Sequence, residues 1–325
     1  MSAGVNWRPT ATWDSLRRRG ALLHAIRAYF AATGALEVET PTLAHFASTD
    51  PALSSFQVPH RDRHPRFLQT SPEFAMKRLL AAGSGDIYQI CHAYRQEERS
   101  PLHQEEFTLL EWYRIGCDLH GLMDDVAALL QSVGFTNLPL RRTYVEVWQT
   151  CLDCDPHGAS TAALAALARA QGAALSARDE TDRALLLDFI FGLLVLPGLR
   201  QAAPLFIYDF PLEHCAYARL RAGEPPVAER FELIINGIEI ANGYHEVRDA
   251  TEQRARHQVE NERRECRGLA PVAVDSAFLA ALELGLPACA GVAIGVDRLL
   301  MSLLGATEIE HVVAFGAEHE PRSGS

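Results

Sequence analysis

The chain has 325 residues, 48% hydrophobic and 22% charged, enough to bury the core of one large domain or two ordinary ones. Its 41 acidic residues outnumber 30 basic ones for a net charge of −11, which argues against a surface built to wrap nucleic acid. No run of about 18 apolar residues marks a membrane span, Met1 to Thr12 hold no apolar signal core, and seven scattered cysteines fit the reduced thiols of a cytoplasmic protein.

A first helix is expected where Leu22, Leu23, Ile26, Tyr29 and Phe30 fall at helical spacing, with Gly34 as its stop. A strand follows at Leu36 to Glu39, broken at Thr40-Pro41. Pro51 to Pro65 reads as loop with at most one short strand. Ser71 to Ala82 reads as a helix with Pro72 in its first turn. The three arginine clusters, Arg17 to Arg19, Arg61 with Arg63 and Arg66, and Arg263-Arg264 with Arg267, read as solvated faces.

Ile87 to Tyr113 reads as two antiparallel strands joined by a polar loop. Side chains two apart share a face of a strand, so Arg95 and Glu97 point together, as do Phe107, Leu109, Glu111 and Tyr113. Such a surface suits chemistry on a nucleotide and a cationic substrate. Beyond it, Leu119 to Val133 is helical and ends at Gly134. Residues 141–200 read as a helical insertion, with helices near Thr161 to Ala170 and Thr181 to Leu194, and a strand resumes at Leu205 to Phe210.

Asn236-Gly237 between apolar-rich runs marks a hairpin over Phe231 to Gly243. A two-residue turn sets Ile234 opposite Glu239, so Glu232 and Glu239 share a face. Helices follow at about Ala250 to Arg267 and Asp275 to Leu284. Gly291 to Arg298 is an apolar strand running into a helix over Leu299 to Leu304. The fold class is α+β, mainly an antiparallel sheet flanked by helices, in a single domain over 1–325.

Arginine suits phosphate because its planar fork donates bidentately and stays charged. Read singly, Arg95 and Arg298 are ordinary ion-pairing residues; in one site they would clamp a triphosphate. Glu239 and Glu246 could offer oxygen ligands to Mg²⁺, and apolar Ile238, Ile240 and Ala241 favour their partial burial over plain surface charge. Gly291 and Gly295 would let a ligand approach the strand backbone. Cys151-x-x-Cys154 has half a zinc spacing without a second pair, and no nucleophile elbow supports a Ser–His–Asp set.

Gly34 to Pro41, Arg95-Gln96-Glu97 with His103-x-x-x-Phe107, and Gly291-Val-Ala-Ile-Gly-Val-Asp-Arg298 resemble the three ordered signature motifs of the class II aminoacyl-tRNA synthetases. Thr70-Ser71-Pro72-Glu73, Leu110-Glu111-Trp112-Tyr113 and Glu239-Ile-Ala-Asn242-Gly-Tyr-His-Glu246 resemble the lysyl branch. The second and third motifs, and entry into the catalytic domain without a preceding anticodon-binding barrel, resemble the elongation factor P–(R)-β-lysine ligase family. The resemblance implies ATP-dependent activation of β-lysine and its transfer to a lysine of elongation factor P, in a homodimer built on the first motif and without stable tRNA binding.

Carried over position by position, it implies that Arg95 holds the α-phosphate, Phe107 stacks on adenine, Glu97 bonds the adenine amino group, and His103 and Arg298 hold the γ-phosphate. Gln96, Gln104, Ile240 and Gly295 would complete the ATP site. Glu239 and Glu246 would bind Mg²⁺. Ser71, Pro72, Glu73, Glu111, Tyr113, Asn242, Glu246 and Ala293 would line the amino-acid pocket, where carboxylates suit an ammonium. Ala293 stands where the synthetases generally have glycine, consistent with an amino group displaced to the β carbon. Gln104-Glu105 departs from the family's Asn-Pro. A ligase acting on tRNA or another amine and a non-catalytic amino-acid sensor are the competing readings.

Overall fold

The computed structural model describes residues 7–61, 64–96, 98–200 and 203–316; Glu97 lies outside them. Its elements in chain order are α1 (Trp13–Thr33), β1 (Leu36–Glu37), β2 (Leu43–Ala44), β3 (Gln57–Val58), β4 (Arg66–Leu68), α2 (Glu73–Ala81), β5 (Ile87–Tyr94), β6 (Glu106–Ile115) and α3 (Leu119–Ser132). There follow β7 (Leu140–Thr143), α4 (Tyr144–Leu152), α5 (Thr161–Ala170), α6 (Arg183–Ile190), α7 (Leu196–Gly198), β8 (Leu205–Phe210), β9 (Leu220–Arg221), β10 (Val227–Ile235) and β11 (Ile238–His245). The last elements are α8 (Ala250–Cys266), α9 (Ser276–Gly285), β12 (Cys289–Gly295) and α10 (Val296–Leu304).

A nine-stranded sheet runs β1-β5-β6-β12-β11-β10-β8-β7, with β9 on β10. Its centre is antiparallel; only the edge pairs β1–β5 and β7–β8 are parallel. The architecture is α+β, as the sequence leads one to expect. Three further strands, β2, β4 and β3, form a small separate sheet. Two of its strands escape a sequence reading because two- and three-residue strands show no alternation.

Gly34, at φ 77°, ends α1 as a left-handed cap. Helix α1 and α3 cover one face of the sheet, where Ile26, Phe30, Trp112, Leu122 and Val126 are fully buried. A second core gathers α4, α5 and α6 around Trp148, Leu187 and Ile207. Arg19 departs from its solvated expectation. It turns inward, donating to Asp297 Oδ1 at 2.5 Å and to Thr108 Oγ1 at 2.6 Å, because Asp297 is buried at the start of α10 and needs a counter-charge. Among the described residues no helix is long and apolar enough to cross a membrane.

Candidate active site

The β10–β11 hairpin turns through Asn236 and Gly237, both at positive φ, as a tight two-residue turn requires. Ile234 pairs with Glu239, but Leu233 pairs with Ala241, so Ile240 is the extra residue of a β-bulge. The bulge sets Glu239, Ile240, Ala241 and Asn242 along one wall of a cleft of about 430 Å³. Strand β12 contributes Ala293 and Gly295 to that wall, and α10 begins there with Arg298. The loop between β5 and β6 closes it with Arg95, His103 and Gln104, and the start of β6 adds Phe107.

Arg298 holds that loop to the sheet. Its Nη1 donates to the Glu239 carbonyl at 3.0 Å, its Nε to the Leu102 carbonyl at 3.3 Å, and its Nη2 to His103 Nε2. Burial and the charges of Arg298 and Arg95 lower the His103 pKa to about 4. The ring is therefore neutral at pH 7, accepts at Nε2, and carries its proton on Nδ1, 2.6 Å from Ser100 Oγ. Arg95 lies over the Phe107 ring at 5.1 Å, and its buried Nε has no hydrogen-bond partner. A cleft that offers a free guanidinium N–H beside an aromatic face, with Arg230 and Arg298 on the same walls, is suited to a polyphosphate carrying a flat base.

A second cavity, of about 550 Å³, opens beside the first, and Asp50, Arg95, Asn242 and Ala293 line both. Its wall holds Ser71, Pro72, Glu73, Glu111, Tyr113 and Glu246. Glu111 accepts from Ser71 Oγ and Tyr113 Oη, each at 2.7 Å. Burial, reinforced by the charge of Glu73, raises its carboxyl to about 7. Glu246 is raised to about 8 by burial, although the Lys77 ammonium opposes the shift. Buried carboxylates held this high await a cation. The Asn242 Oδ1, buried and unpartnered, is a further acceptor on the shared wall.

Most of the expected site residues therefore come together, with three differences. Gln96 lines neither cavity; its backbone N–H donates to the Ser54 carbonyl at 2.8 Å and its side chain is exposed. The strand does not bring Glu239 and Glu246 together. Seven residues at about 3.3 Å each separate them by roughly 23 Å, and Glu246 is ion-paired to Lys77 at 2.6 Å. The carboxylate beside Glu239 is Glu232, buried, paired with Arg230, and raised to about 8 by burial and then by the charge of Glu239. Gly291 is glycine for an internal reason: a Cβ there would lie 2.3 Å from the Tyr113 ring and 2.7 Å from Glu246 Oε1. At Gly295 a Cβ meets only Arg298, at 3.9 Å, so that backbone is open to a ligand.

Sequence reasoning missed Lys77 and Arg230 in this setting. Lys77 is one turn past Glu73 on α2, the spacing at which helical side chains meet. Arg230 packs over Phe210 at 4.5 Å and donates to the His214 carbonyl at 3.0 Å, contacts that only the tertiary fold creates.

Residues 5–319 match the family described as tRNA synthetases class II (D, K and N). A Vibrio vulnificus (strain YJ016) protein named elongation factor P–(R)-β-lysine ligase is 45% identical over 317 residues, 96% of this chain and 98% of that protein. A Haemophilus ducreyi protein of the same name is 42% identical over 97% of each chain, and one from Pasteurella multocida is 41% identical over 97% of this chain and 98% of its own. With residues of the second and third motifs gathered in one pair of joined cavities and this likeness along nearly its whole length, the chain belongs to the class II tRNA synthetase family (D, K and N), within its elongation factor P–(R)-β-lysine ligase group.

Proposed function

We propose that this chain activates (R)-β-lysine with ATP and passes the aminoacyl group to the ε-amine of a lysine on translation elongation factor P. The observation that carries the reading is the meeting of two cavities, one lined by arginines and one by buried carboxylates, at Arg95, Asn242 and Ala293. The names of the relatives support the donor and the acceptor. A substrate carboxylate oxygen attacks the α-phosphorus, and the bond to the pyrophosphate oxygen breaks. The acceptor nitrogen then attacks the carbonyl carbon of the mixed anhydride, AMP leaves, and the amine gives up its proton. Positioning and charge neutralisation supply most of the acceleration in such a reaction.

Arg95 has the place to meet the α-phosphate and Phe107 the adenine. Arg298, with neutral His103 as its acceptor, has the place to meet the γ-phosphate. Glu73, Glu111 and Glu246 take the ammonium groups, with Tyr113 and Ser71 orienting Glu111. Glu239, half-buried on the wall of the first cleft, would offer a carboxylate oxygen to a Mg²⁺ ion, which favours carboxylate oxygens together with substrate phosphates. When bound, the ion neutralises phosphate charge. The reading includes a homodimer, a cytoplasmic location and no stable tRNA complex.

Incubation with Mg-ATP, (R)-β-lysine and elongation factor P, followed by intact-mass measurement of the factor, tests it. A gain of one lysyl unit that Arg298→Ala abolishes is expected. Robust pyrophosphate exchange without mass gain would discard the acceptor.

A further inference from the structure

Lys77 is the only lysine in the chain, and it is 1% exposed. Its Nζ lies 2.5 Å from Glu73 Oε1 and 2.6 Å from Glu246 Oε2. The Tyr217 ring at 5.0 Å and the Phe278 ring at 5.9 Å flank it. It lines neither cavity: the ammonium sits behind the wall that Glu73 and Glu246 present to the amino-acid pocket. A buried ion pair is weak support for a fold, since apolar residues of the same volume often do as well. A lone lysine fixed between two pocket carboxylates therefore calls for a role in the site.

We propose that Lys77 is a specificity-determining positioning residue, a fixed counter-charge between Glu73 and Glu246 that sets the amino-acid pocket for a substrate with two ammonium groups. The pocket wall holds three clustered carboxyl groups, Glu73, Glu111 and Glu246; in the fully ionised form that bound ammonium groups select, Lys77 cancels one of their three charges. Two negative charges remain. The other charged groups of that cavity, His45, Asp50, Arg78, Arg95 and Asp275, lie in its half-buried or exposed parts. An amino acid with two ammonium groups neutralises the cluster completely. One with a single ammonium leaves a desolvated carboxylate unpaired, and so is rejected far more strongly than shape alone would allow. Without Lys77 the cluster carries one charge too many, and Glu73 and Glu246 repel each other out of position.

The inference rests on the proposed activation of a lysine-type amino acid, and amino-acid-dependent ATP–pyrophosphate exchange on the full chain separates the two. If the wild-type protein supports exchange with neither lysine nor (R)-β-lysine, the proposed function itself fails, and this inference with it. With wild-type exchange in hand, Lys77→Met is expected to raise the amino-acid KM roughly ten- to a hundredfold while the ATP KM stays within about twofold. Lys77→Arg keeps the positive charge, so it should hold the amino-acid KM within about fivefold of wild type. A lysine that merely fills space would not distinguish a charged from an uncharged replacement. An unchanged amino-acid KM in Lys77→Met, or Lys77→Arg no better than Lys77→Met, overturns the proposal. Should Lys77→Met fail to fold, Lys77→Gln takes its place with the same two outcomes.

Discussion

Glu111 shows how a site residue can be legible in sequence while its chemistry is not. Its place on an alternating strand face follows from the run Phe107 to Tyr113, whereas its pKa depends on burial by the tertiary fold and, after that, on Glu73, brought in by a separate helix. The unfolded chain releases this proton near 4.5, and the folded chain keeps it until about 7. Between those values the folded state binds more protons, so this group's contribution to stability falls as pH rises and levels off above about 7. Urea midpoints measured between about pH 5 and 7.5 should decline less steeply in Glu111→Gln than in wild type. Equal slopes would show that Glu111 is already ionised throughout. Glu246 had the opposite fate: its sequence position beside an acidic hairpin invites pairing with Glu239, but strand length separates them and Lys77 claims it.

Helix α1 was legible as a helix and not as a support for the site. Its apolar stripe predicts burial, and Leu22, Ile26 and Phe30 are the residues buried. The inward turn of Arg19 has no sequence signal, because three consecutive arginines read alike until a buried Asp297 selects one of them. Asp297 also accepts from the Thr108 N–H at 2.8 Å and immediately precedes Arg298. Arg19→Ala strands a buried carboxylate and should cost about 3 kcal/mol in urea unfolding. Because Asp297 carries Arg298, the ATP KM should rise severalfold in the folded variant. A stability change below about 1 kcal/mol would mean that Asp297 finds another partner or a proton.

At the scale of the molecule, the central strands and the small sheet differ in how they are held. Strands β6, β10 and β12 are buried along most of their length, while no residue of β2, β3 or β4 is buried. The segment carrying the small sheet is tied down by the Gln96 N–H to the Ser54 carbonyl at 2.8 Å and by Arg264 to the Asp50 carbonyl at 3.2 Å. Asp50 and Leu53 of this segment line both cavities. Amide hydrogen exchange should therefore be fast over residues 43–58, slow in β6 and β12, and slower over 43–58 once ATP and amino acid are added. Unchanged exchange there with both ligands bound would remove the segment from the ligand-facing wall.

Local pattern was sufficient for the elements that carry the chemistry: Gly34 stops α1, Asn236-Gly237 folds the hairpin, and alternation from Phe107 to Tyr113 aims Glu111 and Tyr113 at one face. These depend on backbone geometry and on neighbours a few residues away. The bulge at Ile240, the enclosure of Lys77 and the choice of Arg19 depend on groups distant in the chain. Charges settle against whichever partner burial leaves within reach, and only the folded sheet and its helices determine which partner that is.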